Sequence, residues 1–461
     1  MPRFRLSSLI AILLAVFLIT ANASAEGVIQ LPKTGQTTSY YPGDDGALQK
    51  GVAWPNPRFL DNADGTVTDK LTGLMWTKNV NFTSHKLGWD VFNYVAGVNS
   101  GNGTYGYKDW RLPNIIEIES LVARGYVRPF DWLNNQGFSL WSNKFWTSTN
   151  DKYGSDLWCL YLQIGEVYPN WKDNDLYIWL VRSGQCETVD SVICLPATGQ
   201  TISYEAGDDG SLQKGVVWPN PRFFDNSDGT VTDELTGLMW TKNANLAGTK
   251  TWQKTLDYVA GMNSGNGTYG YKDWRLPNII EINSLKDYSS FAPYLHNPFI
   301  NVQSVDYWSS STYADYNNNV WLVNLWYGST EIGSKDDNYY VLPVRGEQNN
   351  TPTAITLSSL TAEAKNNKVI IQWQTATEIN NLGFNILRSE SETGPYTKIN
   401  KKLIKAKGSS TKGASYKFKD KNIETGKTYW YKLEDIDSNT GPAQHDAVKV
   451  EVTAKKVKAK K

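Results

Sequence analysis

Histidine is nearly missing from this chain: 461 residues hold only His85, His296 and His445. None lies beside a cysteine or serine in a nucleophile motif, which removes a histidine-based triad from consideration. Cysteine is as scarce, with Cys159, Cys186 and Cys194 alone. No CxxC or Cys/His metal spacing exists, which argues against a zinc or redox role. Charge of one sign is not in excess either, with 46 Lys and Arg against 46 Asp and Glu. With no basic-aromatic module present, nucleic acid is an unsuitable partner. One long apolar run occurs, Leu9 to Ile19. It is too short for a comfortable membrane span, and no later run is longer.

That run follows Arg3 and Arg5 and precedes the small residues Ala23-Ser24-Ala25. The pattern is that of a secretory signal peptide over residues 1–25; an uncleaved anchor is the alternative. The expected mature chain is exported, to the cell surface or medium, with the periplasm left open. Oxidising surroundings permit disulfides. Cys186 and Cys194 flank the short polar segment ETVDSVI and are expected to pair, while Cys159, inside LWCLYL, reads as a buried free thiol.

What the chain has in abundance is repetition. NSGNGTYGYKDWRLPNIIEI occurs at Asn99–Ile118 and again, unchanged, at Asn263–Ile282. TGQTTSYYPGDDGALQKGVAWPNPRF at Thr34 is matched by TGQTISYEAGDDGSLQKGVVWPNPRF at Thr198, and DNADGTVTDKLTGLMWTKN at Asp61 by DNSDGTVTDELTGLMWTKN at Asp225. The copies diverge after Leu121 and Leu285 and realign weakly later. A period near 160 residues is domain-sized, far longer than a solenoid unit.

Within each copy, Asp-Gly in RFLDNADGTVTD signals a hairpin. Trp252, Leu256 and Val259 recur at helical spacing. In the repeated stretch the residue before Leu-Pro is biased to extended backbone. Asn114 and Asn278 are then N-caps, with Glu117 and Glu281 as capping-box partners three residues on. Asp109 and Arg111 are expected to pair and pin the loop, as are Asp273 and Arg275. Trp110 and Trp274 are core rings or ligand platforms, and folding accounts for most of the motif.

After Gln348 the composition changes. Residues 348–354 read as a linker, and from Asn350 onward 20 Lys and Arg face 11 Asp and Glu. KVIIQWQT, FNILRS, YKFKDK, TYWYKLEDID and VKVEVT alternate with turn residues, as in an antiparallel sandwich. Trp373 is a candidate core ring, Tyr429 and Tyr431 are corner candidates, and residues 455–461 form a basic tail.

GTVTDKLTGLMW, the Trp-led helix, DWRLPNIIEI, WTST or WSSS and a closing VR resemble the C-terminal domain of the Legionella collagen-like protein. That family is related to the C-type lectin-like fold. The resemblance implies two helices flanking small antiparallel sheets, and a link to adhesion and sulfated polysaccharides. Copy one departs from it: Trp89 is one residue out of step with Trp252, and the copy ends in WLVRSGQC. WQTATEINNLGFNILRS resembles a fibronectin type III module. The expected fold class is therefore α+β: two tandem C-type lectin-like domains, residues 26–187 and 188–347, then an all-β immunoglobulin or fibronectin III-like sandwich over residues 355–454.

An exported, non-enzymatic recognition or adhesion protein is the expected function, its partner an extracellular glycan or surface protein. A structural envelope protein and a carboxylate-dependent hydrolase are the alternatives. Only the adjacent pairs Asp44-Asp45 and Asp208-Asp209 could serve the hydrolase, and PGDDGAL reads more readily as a solvated turn. Ligand contacts are expected in the divergent segments and late loops, through Trp132, Trp141, Tyr294 and Trp326. The KDND and KDDN loops, with Asp173, Asp175, Asp336 and Asp337, are candidates for calcium, which needs several oxygen ligands close together.

Overall fold

The computed structural model describes residues 28–80, 85–182, 192–290, 295, 297–346, 355–365, 367–378, 381–408, 413–437, 441–445 and 447–453. Each copy begins with a hairpin placed by its Asp-Gly turn. Phe59–Asp61 pairs with Thr66–Asp69, which pairs with Met75–Thr77, and the late strand Val181–Arg182 closes the sheet. Copy two repeats this with Phe223–Asp225, Thr230–Asp233, Met239–Thr241 and Val344–Arg345.

The second sheet belongs to both copies. Copy one supplies Glu166–Trp171, Asp156–Tyr161, Lys144–Asn150, Asp175–Tyr177 and His85–Leu87, and copy two Asp306–Thr312, Asn319–Asn324 and Thr330–Ser334. These eight strands are continuous because Thr330–Ser334 pairs antiparallel with Glu166–Trp171, Thr330 opposite Val167. The strands are rich in β-branched and aromatic residues, which suit a pleated, buried surface. One apolar core runs through both copies, from Ile29 and Trp76 to Trp240 and Val344. Smaller clusters lie under the helices Val91–Val98 and Trp252–Met262.

The two copies meet around a pseudo-two-fold axis. Arg124 lies 4.1 Å over the Trp321 ring, and its counterpart Tyr288 meets Trp158, the counterpart of Trp321, at 5.0 Å. Glu119 and its own counterpart Asn283 are joined at 2.8 Å. Equivalent residues meeting one another is the mark of an isologous contact.

The leading segments cross this axis. Residues 28–54 of copy one dock on copy two. Ile29 N–H donates to the Leu235 carbonyl at 2.9 Å, and the Gln36 amide bonds the Thr312 carbonyl and N–H at 2.7 and 3.1 Å. Residues 192–218 return the contact. Ile193 N–H donates to the Leu71 carbonyl at 2.9 Å, and Gln200 exchanges hydrogen bonds with Asn150. The copies are thus tied by exchanged arms, although each arm also touches its own copy, as in the bond from Arg124 N–H to the Thr34 carbonyl at 2.9 Å.

The α+β expectation is overturned. The described residues are 35% strand and 12% helix, a β-rich fold rather than C-type lectin-like α+β domains. Helical periodicity exists, but it is short. The repeated NIIEI helix lasts five residues, Ile115–Glu119 and Ile279–Asn283, and the longest described helix, Trp252–Met262, stops where Asn and Gly residues begin. The third region is an antiparallel β-sandwich. Ile355–Ala364, Val369–Glu378 and Ser415–Asp420 form one sheet, and Asn381–Ser389 and Thr428–Asp437 centre the other. Trp373 stacks on Tyr416 at 5.1 Å in its core. Tyr429 accepts the Glu424 N–H at 3.0 Å, and Tyr431 donates to Asp420 at 3.0 Å.

Candidate functional site

The repeated stretch builds the socket in which the partner copy's arm sits. Asn114 and Asn278 cap their helices, and Glu117 and Glu281 complete the capping boxes. The Asn114 amide also donates to the Lys214 carbonyl at 3.2 Å, and that of Asn278 to Lys50 at 3.3 Å, both on the exchanged arm. Ile115 N–H donates to Thr149 Oγ1 at 3.0 Å, and the Thr149 hydroxyl donates in turn to Asp209 at 2.8 Å. Ile279, Ser311 and Asp45 repeat this relay at 3.0 and 2.6 Å. Twenty identical residues therefore frame one socket twice.

Two expected contacts differ. Arg111 pairs with Glu117 at 2.6 Å instead of Asp109, because the helix turn brings a buried carboxylate within reach of both guanidinium nitrogens. Asp109 instead takes Arg182 at 2.7 Å. Arg275 with Glu281 and Asp273 with Arg345 do the same at 2.6 and 2.7 Å. Trp110 and Trp274 are buried, their indole N–H groups donating to the Thr104 and Thr268 carbonyls at 2.8 and 2.9 Å.

The aspartate pairs are not solvated turns. Asp44 caps the helix Asp45–Leu48, accepting from Ala47, and Asp208 caps Asp209–Leu212, accepting from Ser211. Asp45 and Asp209 lie on the arms and are buried against the socket of the other copy. Burial, opposed by the hydroxyls of Ser311 and Thr34, pushes Asp45 up to about 7. Burial likewise raises Asp209 to about 7 against Thr198 and Thr149. Both carboxylates hold arm and socket together and are closed to a substrate.

The proposed ligand residues separate. Trp132 is only 7% exposed and packs on Trp54, Phe59 and Tyr126; it is a core ring. Trp141 is 79% exposed and Trp326 40%. Tyr294 lies outside the described residues. Asp173 accepts the Trp89 indole N–H at 2.8 Å, and Asp175 pairs with His85. In copy two the Asp336 backbone N–H donates to Ser334 Oγ at 3.3 Å, and Asp337 accepts from the Tyr339 hydroxyl at 3.4 Å. Among the described residues no group of three or more His, Cys, Asp or Glu side chains could hold a metal ion, so the calcium expectation finds no ligand set. Cys194 is disulfide-bonded and Cys159 is free and buried; Cys186 lies outside the described residues.

Local sequence pattern singles out neither Trp171 nor a role for Trp89, although the one-residue offset of Trp89 from Trp252 is visible in it. In copy two, Trp252 N–H donates to the Lys335 carbonyl at 3.1 Å, and its ring is buried beneath the Lys335 ammonium, 3.9 Å from the centroid. In copy one, Gly88 makes that backbone bond, to Lys172 at 2.7 Å. A Cβ at Gly88 would lie 2.7 Å from the Lys172 Cα, so the ring moves one residue outward. Trp89 is consequently 50% exposed. Trp171, one residue before Lys172, is 71% exposed, and its carbonyl accepts Asn174 N–H at 2.9 Å in a tight turn.

Residues 65–182 and 229–345 match the profile of the Lcl C-terminal domain, together just over half of the chain. No curated protein matches. Among solved structures, a Fn3-like protein from Clostridium thermocellum is similar at 19% identity, over 21% of this chain and 93% of that chain, with a TM-score of 0.16. No described helix is long and apolar enough to cross a membrane. The profile match is consistent with an extracellular or cell-surface protein. On these two matched segments the chain belongs to the Lcl C-terminal domain family, whose domain it carries twice in tandem.

Proposed function

We propose that the chain is an exported recognition protein of adhesive type, without catalytic activity, that holds extracellular polysaccharide. The observation that carries this reading is the exposure of large aromatic rings in the late loops and turns, among them Trp141, Trp171, Tyr316 and Tyr327. Water-exposed rings of this size contribute nothing to a core, and their flat faces suit sugar rings. The fixed pairing of the copies adds preorganisation, since loops held on one continuous sheet lose little freedom on binding. Duplication, on this reading, completes a body rather than supplying two equal sites. The aspartate pairs required by the hydrolase alternative are occupied in arm docking.

A panel of immobilised polysaccharides, sulfated, uronic, neutral and amino-substituted, tests the proposal with the full mature chain. Saturable retention on at least one polymer, with no release of reducing ends, is the expected result. Silence across the panel favours a purely structural envelope role, and release of reducing ends favours a hydrolase.

A further inference from the structure

We infer that the turn 171–174 of copy one, with Trp89 and Trp171, is a binding site for pyranose chains that carry no anionic substituent. The inference rests on the recognition reading above and names the site and the class of sugar. Trp89 is held on one edge by its 2.8 Å hydrogen bond to Asp173, and the Lys172 ammonium lies 5.1 Å from its ring centroid. Lys172 is itself fixed, by the Gly154 carbonyl at 2.9 Å and Glu205 at 3.4 Å. The ring is therefore oriented before any ligand arrives, yet half exposed. Trp171 is the first residue of the same turn, and most of its surface is in water.

Copy two provides an internal control. It keeps the backbone bond, the lysine and the turn but buries its tryptophan and has Ser334 in place of Trp171. The fold thus does not require two exposed indoles here, and copy one carries them at the cost of apolar surface in water. An indole face packs against the axial C–H face of a pyranose, and the polar rim offers acceptors for its hydroxyls. Asp173, Asn174 and Asp175 are exposed at or next to this turn, and Asp90, which follows Trp89, is exposed as well. The opposing cations are committed: His85 to Asp175, Lys172 as described, and Lys86 over Tyr94 at 5.0 Å. Sulfate or uronate groups would meet like charge, whereas neutral or amino-substituted sugars would not.

Titration calorimetry of the full mature chain with cellohexaose, a glucosamine hexamer and a heparin hexasaccharide tests this. One or both of the first two are expected to bind, with Trp89→Ala and Trp171→Ala each weakening binding at least tenfold. Val217→Ala, at an exposed side chain of copy two, should leave it unchanged, and circular dichroism should show both tryptophan variants folded. Failure of both uncharged and amino hexamers to bind, or undiminished binding by the Trp89→Ala/Trp171→Ala double variant, overturns the inference. Heparin binding that the double variant abolishes also overturns it, while leaving the broader recognition reading in place.

Discussion

Val167 and Thr330 hold equivalent places in the two copies, and they face each other across the strand pair that joins them. A two-fold relation inside one chain follows from that contact, and the exchanged arms follow the same relation. Cysteines at these two positions are expected to form a disulfide, since directly paired antiparallel residues fall within disulfide reach. Peptide mapping of the Val167→Cys/Thr330→Cys chain should find the link without loss of solubility.

The arms should undock more readily as pH rises. Asp45 and Asp209 have folded values near 7 against about 3.9 when unfolded. Between those values the folded state binds more protons, so stability from these groups is fully present below about pH 4 and is lost as pH rises through 7. Their charged neighbours, Glu281 and Asp44 beside Asp45 and Glu117 and Arg111 beside Asp209, are included in that balance. Urea denaturation at pH 4.5 and 7.5 should show Asp45→Asn/Asp209→Asn gaining on the parent by about 2–4 kcal/mol per site at the higher pH.

Loss of a core ring should differ from loss of a surface ring. Trp274→Ala is expected to cost about 3–5 kcal/mol in the full chain. Trp141→Ala should change stability by less than about 0.5 kcal/mol. Chemical denaturation followed by circular dichroism separates the two.

Arg275→Met leaves Glu281 buried without its bidentate partner. The expected loss is about 3–5 kcal/mol. If the variant is instead as stable as the parent in a urea series, the buried pair is not what fixes the socket.

Much of this architecture was legible because it is local. The Asp-Gly hairpins, the Asn-x-x-Glu capping boxes, the helix from Trp252 and the strand rhythm of the sandwich are each set by neighbours within a dozen residues. The arm exchange was not legible. Both copies carry the same arm and the same socket, so Gln36 has an identical local pattern whether it docks on its own copy or the other. Trp132 was misread for a related reason: a tryptophan in a divergent, polar segment looks exposed until Trp54 and Phe59 arrive from distant sequence. The Asp109–Arg111 pairing failed because Glu117, six residues on, offers a buried bidentate partner. Trp89 could be seen to be out of register, but its exposure depended on Gly88 meeting the Lys172 backbone.

The exchanged-arm body is tested most directly by cutting between the copies. A protease site placed within residues 183–191, cleaved in the presence of reductant, leaves two chains with no covalent tie. The account predicts that they remain together as a one-to-one complex on size exclusion with light scattering, and separate only in denaturant. Two compact halves eluting apart in native buffer would contradict it.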